Sequence, residues 1–235
     1  KSNIVFVVCG KFNPKTILTI FHTLDNHSPK LIIQYNNCFS QKKNIIFVRE
    51  KDIHSATLRI GFPSILQPND PLQIYLDVIT TAISNLLMNE LRTNSKLVYN
   101  SECEYETTTC GTIVIIEAYT EISHTYTVYS RILKLLEQCI HKGISKDFLH
   151  GAIKSRSLEY YSTKNNSEKI GDHYADMYIS QFMKKEKCYY SLEEKNKYVS
   201  NITPSLSKKI CKMLFDLSKL TCIYQSTHKI KSMHE

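Results

Sequence analysis

The stretch NDPLQIYLDVITTAISNLLMNELRTNSKLVY, residues 69–99, decides the fold because it contains a long helix and the start of the following strand. Asp70 followed by Pro71 is typical of a helix start, since aspartate caps free N–H groups and proline fits the first helical turn. Apolar residues then recur at helical spacing, at 72, 75, 76, 79, 82, 83, 86, 87 and 91. This broad stripe predicts an amphipathic helix that ends near Arg92, before a turn and a strand that contains Tyr99.

Segments on both sides of this helix predict a sheet and further helices. Residues 54–62 alternate between apolar and polar, with Ala56, Leu58, Ile60 and Phe62 on one face, which is typical of a half-buried strand. The pattern also predicts a hairpin from 97–107 and 112–120 and a last strand at 219–225. Helices are predicted at 124–142 with Gly143 as cap, after Ser145, at 167–182, after the capping box of Ser191 and Glu194, and from Pro204 to about 217.

The first residues predict a separate, incomplete unit. Residues 3–9 have the composition of a buried strand, and residues 14–24 that of a short helix. One strand and one helix are too small to fold independently. We therefore predict three parts: 1–30 as the end of a preceding repeat of the same plan, 31–44 as a linker, and 45–235 as one complete α+β domain.

Composition narrows the function classes. No apolar run approaches the roughly 20 residues that span a bilayer, so no membrane segment is expected. The net charge of +8 admits a nucleic-acid partner, but the lysines are scattered and no nucleic-acid-binding motif accompanies them. Eight cysteines occur without a CxxC pair, and Cys103 and Cys110, which flank the hairpin tip, are expected to be reduced. A cytoplasmic, reducing compartment is predicted, and a mitochondrial location stays open.

Five segments, taken in order, resemble the C-terminal half of the insulinase, pitrilysin and mitochondrial processing peptidase family of zinc metallopeptidases. They are NIVFVVCGKFNPKTILTIF, VREKDIHSATLRIGFP, the stretch 69–99, GISKDFL and ITPSLSKKICKML. The resemblance implies an antiparallel sheet covered by helices, in one of two similar α+β halves that enclose a chamber. It also implies a complementary N-terminal half, in the same polypeptide or in a partner subunit, and a peptide or protein substrate.

The resemblance assigns roles to Arg92 and Tyr99. In this family the N-terminal half binds zinc through an H-x-x-E-H motif and a downstream glutamate, while the second half contributes an arginine and a tyrosine, seven positions apart, that reach the substrate backbone. Arg92 and Tyr99 match that spacing, which makes both candidate substrate-binding residues and Tyr99 the candidate catalytic residue. The pair Leu97-Val98 departs from the usual Leu-Gly before the tyrosine.

The chemistry of the pair supports this interpretation, and a simpler one stays open. A phenol donor aimed at the carbonyl oxygen of a peptide bond stabilises the charge that develops there, and an arginine holds a carbonyl or carboxylate through directional hydrogen bonds. In the simpler interpretation, Arg92 solvates a helix C-terminus and Tyr99 packs on the sheet.

A zinc site is not expected in this chain. None of the nine histidines belongs to an H-x-x-E-H motif, and His22 and His27 are spaced unfavourably for a shared metal. Zinc is therefore expected in the complementary half, and this chain alone is expected to be inactive. Two functions stay open: the substrate-positioning portion of a zinc metalloendopeptidase, or a non-catalytic structural or regulatory subunit of the same fold. A basic nucleic-acid module has only the net charge in its favour.

Overall fold

The computed structural model describes residues 7–22, 42–66, 70–108, 111–184 and 191–233. Its strands are β1 (Asn44–Arg49), β2 (Ser55–Pro63), β3 (Val98–Thr108), β4 (Gly111–Glu121) and β5 (Thr221–Ser226). Its helices are α1 (Pro14–His22), α2 (Leu76–Leu87), α3 (Thr125–Lys142), α4 (Lys146–Lys164), α5 (Ser167–Lys184), α6 (Leu192–Val199) and α7 (Pro204–Leu214). A 3-10 turn, Pro71–Tyr75, precedes α2, and a π-helical segment, Met88–Asn94, continues it.

The strands form one sheet in the order β1-β5-β2-β4-β3. Neighbouring strands are antiparallel except for β1 and β5, which are parallel, so the sheet is mixed. The predicted α+β class is confirmed, and the expected antiparallel pairing is found in every described strand pair except β1 and β5. The sequence did not predict β1, whose six residues alternate only weakly between part-buried and exposed positions and therefore lack a clear periodic signal.

Helices cover one face of the sheet. Leu58, Ile60 and Phe62 of β2 are fully buried and join one hydrophobic cluster with Ile79 and Ile83 of α2. On the opposite face, described side chains such as Arg59, Tyr119 and Ile223 remain exposed. The predicted face of β2 and most of the predicted stripe in 69–99 are therefore in the core, although the buried Ile74 and Val78 lie outside that stripe.

The prediction for the first residues is only partly tested. Residues 3–6 of the strand predicted at 3–9 lie outside the described part, and residues 7–9 are exposed and form no strand. The predicted helix is present as α1, and its last two predicted residues are not described. Cys103 is a free, buried thiol, whereas Cys110 lies outside the described residues. The three-part division of the chain stays a prediction.

Asp77 links α2 to β3 through a hydrogen bond and to α6 through an ion pair. The Tyr105 hydroxyl donates to Asp77 Oδ1 at 2.9 Å, and Lys195 Nζ lies 2.6 Å from Asp77 Oδ2. Burial acts to raise the pKa of Asp77, but Lys195, Arg156 and the Tyr105 hydrogen bond together hold that pKa below its usual value. The carboxylate is therefore stabilised in its charged form in the native state.

We expect Asp77→Asn to lower the free energy of unfolding by about 1–2 kcal/mol at pH 7, because it removes the charge that pairs with the part-exposed Lys195. A carboxyl with a depressed native pKa stabilises the fold fully above its unfolded pKa, 3.8, and loses that contribution as the pH falls through the native pKa. Urea unfolding of the wild type and Asp77→Asn should therefore give a difference in the free energy of unfolding that is constant from pH 7 to 5. That difference should shrink below pH 3.8. The exposed Asp172→Asn is the control, with little change at any of these pH values.

Candidate functional site

Arg92 and Tyr99 line one cavity of about 260 Å³. Its walls come from the end of the π-helical segment, the turn that follows it, the start of β3 and the end of β4. The lining residues are Arg92, Lys96, Leu97, Val98, Tyr99 and Glu121. The structure thus brings together the two residues that the sequence singled out.

The π-helical segment positions Arg92. A π-helical turn is wider than an α-helical turn and is found often at functional sites. The segment closes with two backbone hydrogen bonds, from Lys96 N–H to the Arg92 carbonyl at 3.0 Å and from Leu97 N–H to the Leu91 carbonyl at 2.7 Å. Lys96 adopts a left-handed conformation, with φ +53°, which reverses the chain toward β3. Arg92 is exposed at this helix end.

A β-bulge positions Tyr99. Val98 pairs with Thr120 and Asn100 pairs with Tyr119, so Tyr99 has no residue opposite it in β4. The extra residue shifts the alternation, so that Tyr99 and Asn100 are both exposed while Val98 is buried. Tyr99 keeps 58% of its surface accessible. The phenol is therefore available to a ligand and does not pack into the core.

The cavity is electropositive. Within the described part of the chain, the side chains of Arg92 and Lys96 make no hydrogen bond or ion pair. Glu121 is the carboxylate among the lining residues, and its Oε2 lies 3.9 Å from His124 Nδ1. Such a set, with two unpaired cations and a phenol, can bind a carbonyl or a carboxylate oxygen.

The described residues do not form a zinc site. None of their groups of three or more His, Cys, Asp and Glu side chains is placed to hold a metal ion. His150 is exposed on α4, and the side chain of His22 and the whole of His27 lie outside the description. The described part of the chain therefore offers no ligand set that fits a catalytic zinc.

Sequence reasoning missed two lining residues, Lys96 and Glu121. Lys96 lies in the turn between the two predicted residues, so its place in the sequence was a usable signal. Glu121 reaches the cavity through the strand register, in which the end of β4 lies beside the start of β3. That proximity needs the pairing of two strands and has no local sequence signal.

In the described residues, no helix has both the length and the apolar content needed to cross a membrane.

The fold and the sequence together define a half-domain of the M16 class of proteases. Residues 1–156, well over half of the chain, match the family model described as the peptidase M16 inactive domain. The chain belongs to this family, which confirms the resemblance seen in the sequence. No curated protein sequence matches the chain.

Solved structures share the fold at low sequence identity. A protease from Helicobacter pylori matches with a TM-score of 0.75 and 12% identity over 93% of this chain and 54% of its own. The periplasmic protease PqqL from Escherichia coli matches with a TM-score of 0.66 and 11% identity over 92% of this chain and 24% of its own. A putative zinc protease from Bordetella pertussis matches with a TM-score of 0.59 and 12% identity over 72% of this chain and 93% of its own. The chain spans about half the length of the first solved chains that it resembles.

Proposed function

We propose that this chain is the C-terminal, substrate-positioning portion of a zinc metalloendopeptidase that cleaves peptides or proteins. The observation that carries the proposal is the single cavity lined by Arg92 and Tyr99, both exposed and seven positions apart. In this proposal, the catalytic zinc belongs to a complementary N-terminal half, which is either upstream in the same polypeptide or a partner subunit. The similarity to a putative zinc protease is consistent with this arrangement.

Each residue has a distinct role in the proposal. Peptide hydrolysis builds negative charge on the carbonyl oxygen, and the Tyr99 hydroxyl donates a hydrogen bond to that oxygen. The Arg92 guanidinium holds a neighbouring backbone carbonyl through its planar set of donors. The π-helical closure and the β-bulge fix the two side chains on rigid elements, which keeps their geometry constant as substrate binds.

A non-catalytic structural or regulatory subunit is the second candidate. One observation favours it: the matching family model is described as an inactive domain. The lack of a zinc ligand set among the described residues is expected for either candidate and does not distinguish them. The exposure of Arg92 and Tyr99 in one cavity favours peptide handling instead, because both side chains are available to a ligand.

Zinc content and chelation distinguish the two candidates. We expect the intact parent protein, purified with its complementary half, to contain about one zinc per assembly and to hydrolyse a peptide mixture until a chelator removes the metal. Restoration of hydrolysis by added zinc is the control for damage by the chelator. An assembly without zinc and without hydrolysis would contradict the peptidase proposal and support the structural subunit.

We further propose a reducing compartment, with the cytoplasm as the first candidate and a mitochondrial location as the alternative. The described cysteines are free thiols, and all but Cys9 are buried. Burial raises the pKa of Cys139 to about 11 and that of Cys222 to about 12, which keeps both protonated and unreactive at neutral pH. Labelling of the parent protein with a thiol reagent under native and unfolding conditions tests whether these cysteines are reduced in the cell.

A further inference from the structure

Lys96 is a second cation in the cavity that the proposed roles of Arg92 and Tyr99 do not use. Its side chain is exposed and has no partner within the described residues. It lies four positions after Arg92, and both line the same cavity. Two neighbouring cations that form no ion pair repel each other, and a bound anion reduces that repulsion.

The backbone of Lys96 strengthens this argument. Its φ of +53° lies in the left-handed region, which costs a residue with a Cβ atom more than it costs glycine. Glycine is the common residue at such a helix end, so lysine sits here at the expense of stability. A residue in this unfavourable backbone conformation on the wall of a cavity suggests a function for its side chain.

The remaining charges leave the cavity positive. Glu121 is the acidic lining residue, and it lies toward His124. The cavity of about 260 Å³ is smaller than the roughly 300–1,000 Å³ of sites that enclose a whole drug-sized ligand, so it suits one end of a peptide or one side chain.

We propose that Lys96 binds a carboxylate of the peptide, beside the backbone carbonyl that Arg92 holds, and so makes this cavity selective for acidic segments. The carboxylate belongs either to the C-terminus of the peptide or to an aspartate or glutamate side chain. This inference rests on the proposed peptide-handling function and adds a specificity-determining residue to it.

Equilibrium binding of matched peptides to the full-length parent protein with its complementary half tests the inference. Fluorescein-labelled peptides of one sequence are compared on ice, where mass spectrometry shows them intact: a free C-terminal acid against the amide, and an internal glutamate against glutamine. We expect the acid member of at least one pair to bind about fivefold more tightly, with a smaller ratio in high salt. The pair that shows the difference identifies the source of the carboxylate.

Variants at Lys96 assign the preference to this residue. Lys96→Met should reduce the ratio to less than about twofold, whereas Lys96→Arg should retain it. Lys96→Gly should lose the preference and yet melt a few degrees higher, because glycine relieves the left-handed backbone. Loss of selectivity in a more stable variant excludes unfolding as the cause. Equal affinities within both pairs, or an unchanged ratio in Lys96→Met, would overturn the inference.

The failure of this inference and that of the proposed function are distinguishable. If Arg92→Ala and Tyr99→Phe weaken binding or turnover while both peptide pairs bind equally, only the role of Lys96 is overturned. If those two variants change nothing while Lys96→Met removes an acid preference, the carboxylate site stands without the proposed positioning roles.

Discussion

Gly143→Ala should lower the free energy of unfolding by about 3 kcal/mol or more, the largest loss of stability that we expect from a single methyl group in this protein. Gly143 ends α3 with φ +81° and ψ 176°, a combination that residues with a Cβ atom avoid. A Cβ atom built there would lie 2.2 Å from the backbone oxygen of Pro204. Because that oxygen belongs to the first turn of α7, the clash cannot be relieved by rotating a side chain.

The contact around Gly143 explains why the helices approach so closely. Ile144 N–H donates to Ser207 Oγ at 2.9 Å, and Ser207 Oγ donates to the Pro204 carbonyl at 2.8 Å. Ser207 is fully buried, so both hydrogen bonds are protected from water. A displacement of α7 by the new methyl group would break them and leave buried polar groups unsatisfied.

Gly151→Ala is the matched control for this prediction. Gly151 lies within α4, and a Cβ atom there meets nothing within 4 Å. Alanine should therefore stabilise the helix by up to about 1 kcal/mol. Urea unfolding of both variants gives the comparison, and a Gly143→Ala protein as stable as the wild type would show that α3 and α7 do not meet as described.

Helix starts and the buried faces could be predicted from the sequence because their signals are local. The Asp70 side chain accepts from Leu72 N–H at 2.8 Å, as its position before proline predicted. Ser191 and Glu194 form the predicted capping box, and Thr203 caps α7. Each cap depends on a few neighbouring residues, so the sequence alone contains the information.

The features that shape the cavity could not be predicted, because they depend on tertiary contacts. The stripe of apolar residues through Leu91 has nearly the same spacing in an α-helix and in a helix that widens into a π-helical segment. The bulge at Tyr99 appears only when β3 pairs with β4, and the sequence of β3 alone gives no register. Val98 stands where the family usually has glycine. It is 6% exposed and belongs to the hydrophobic core. Its bulk is therefore absorbed mainly by the core.

Tyr99→Phe should lower kcat of the active assembly at least tenfold. Removal of one oxyanion donor typically costs about 10²–10³-fold in kcat, and tenfold is a lower bound for a site that is partly open to water. Because phenylalanine retains the ring, KM and the melting temperature should change little. A fall in kcat without a rise in KM would indicate an interaction made in the transition state and not in the bound substrate.

Two further variants make the result specific to this cavity. Tyr126→Phe removes the hydroxyl of an exposed tyrosine on α3, outside the lining of the cavity, and should leave kcat unchanged. Arg92→Lys retains the charge but loses the planar set of donors, so it should raise KM more than it lowers kcat. A folded Tyr99→Phe assembly with wild-type turnover would remove Tyr99 from the chemistry, and the cavity would then contribute to peptide binding through its cations alone.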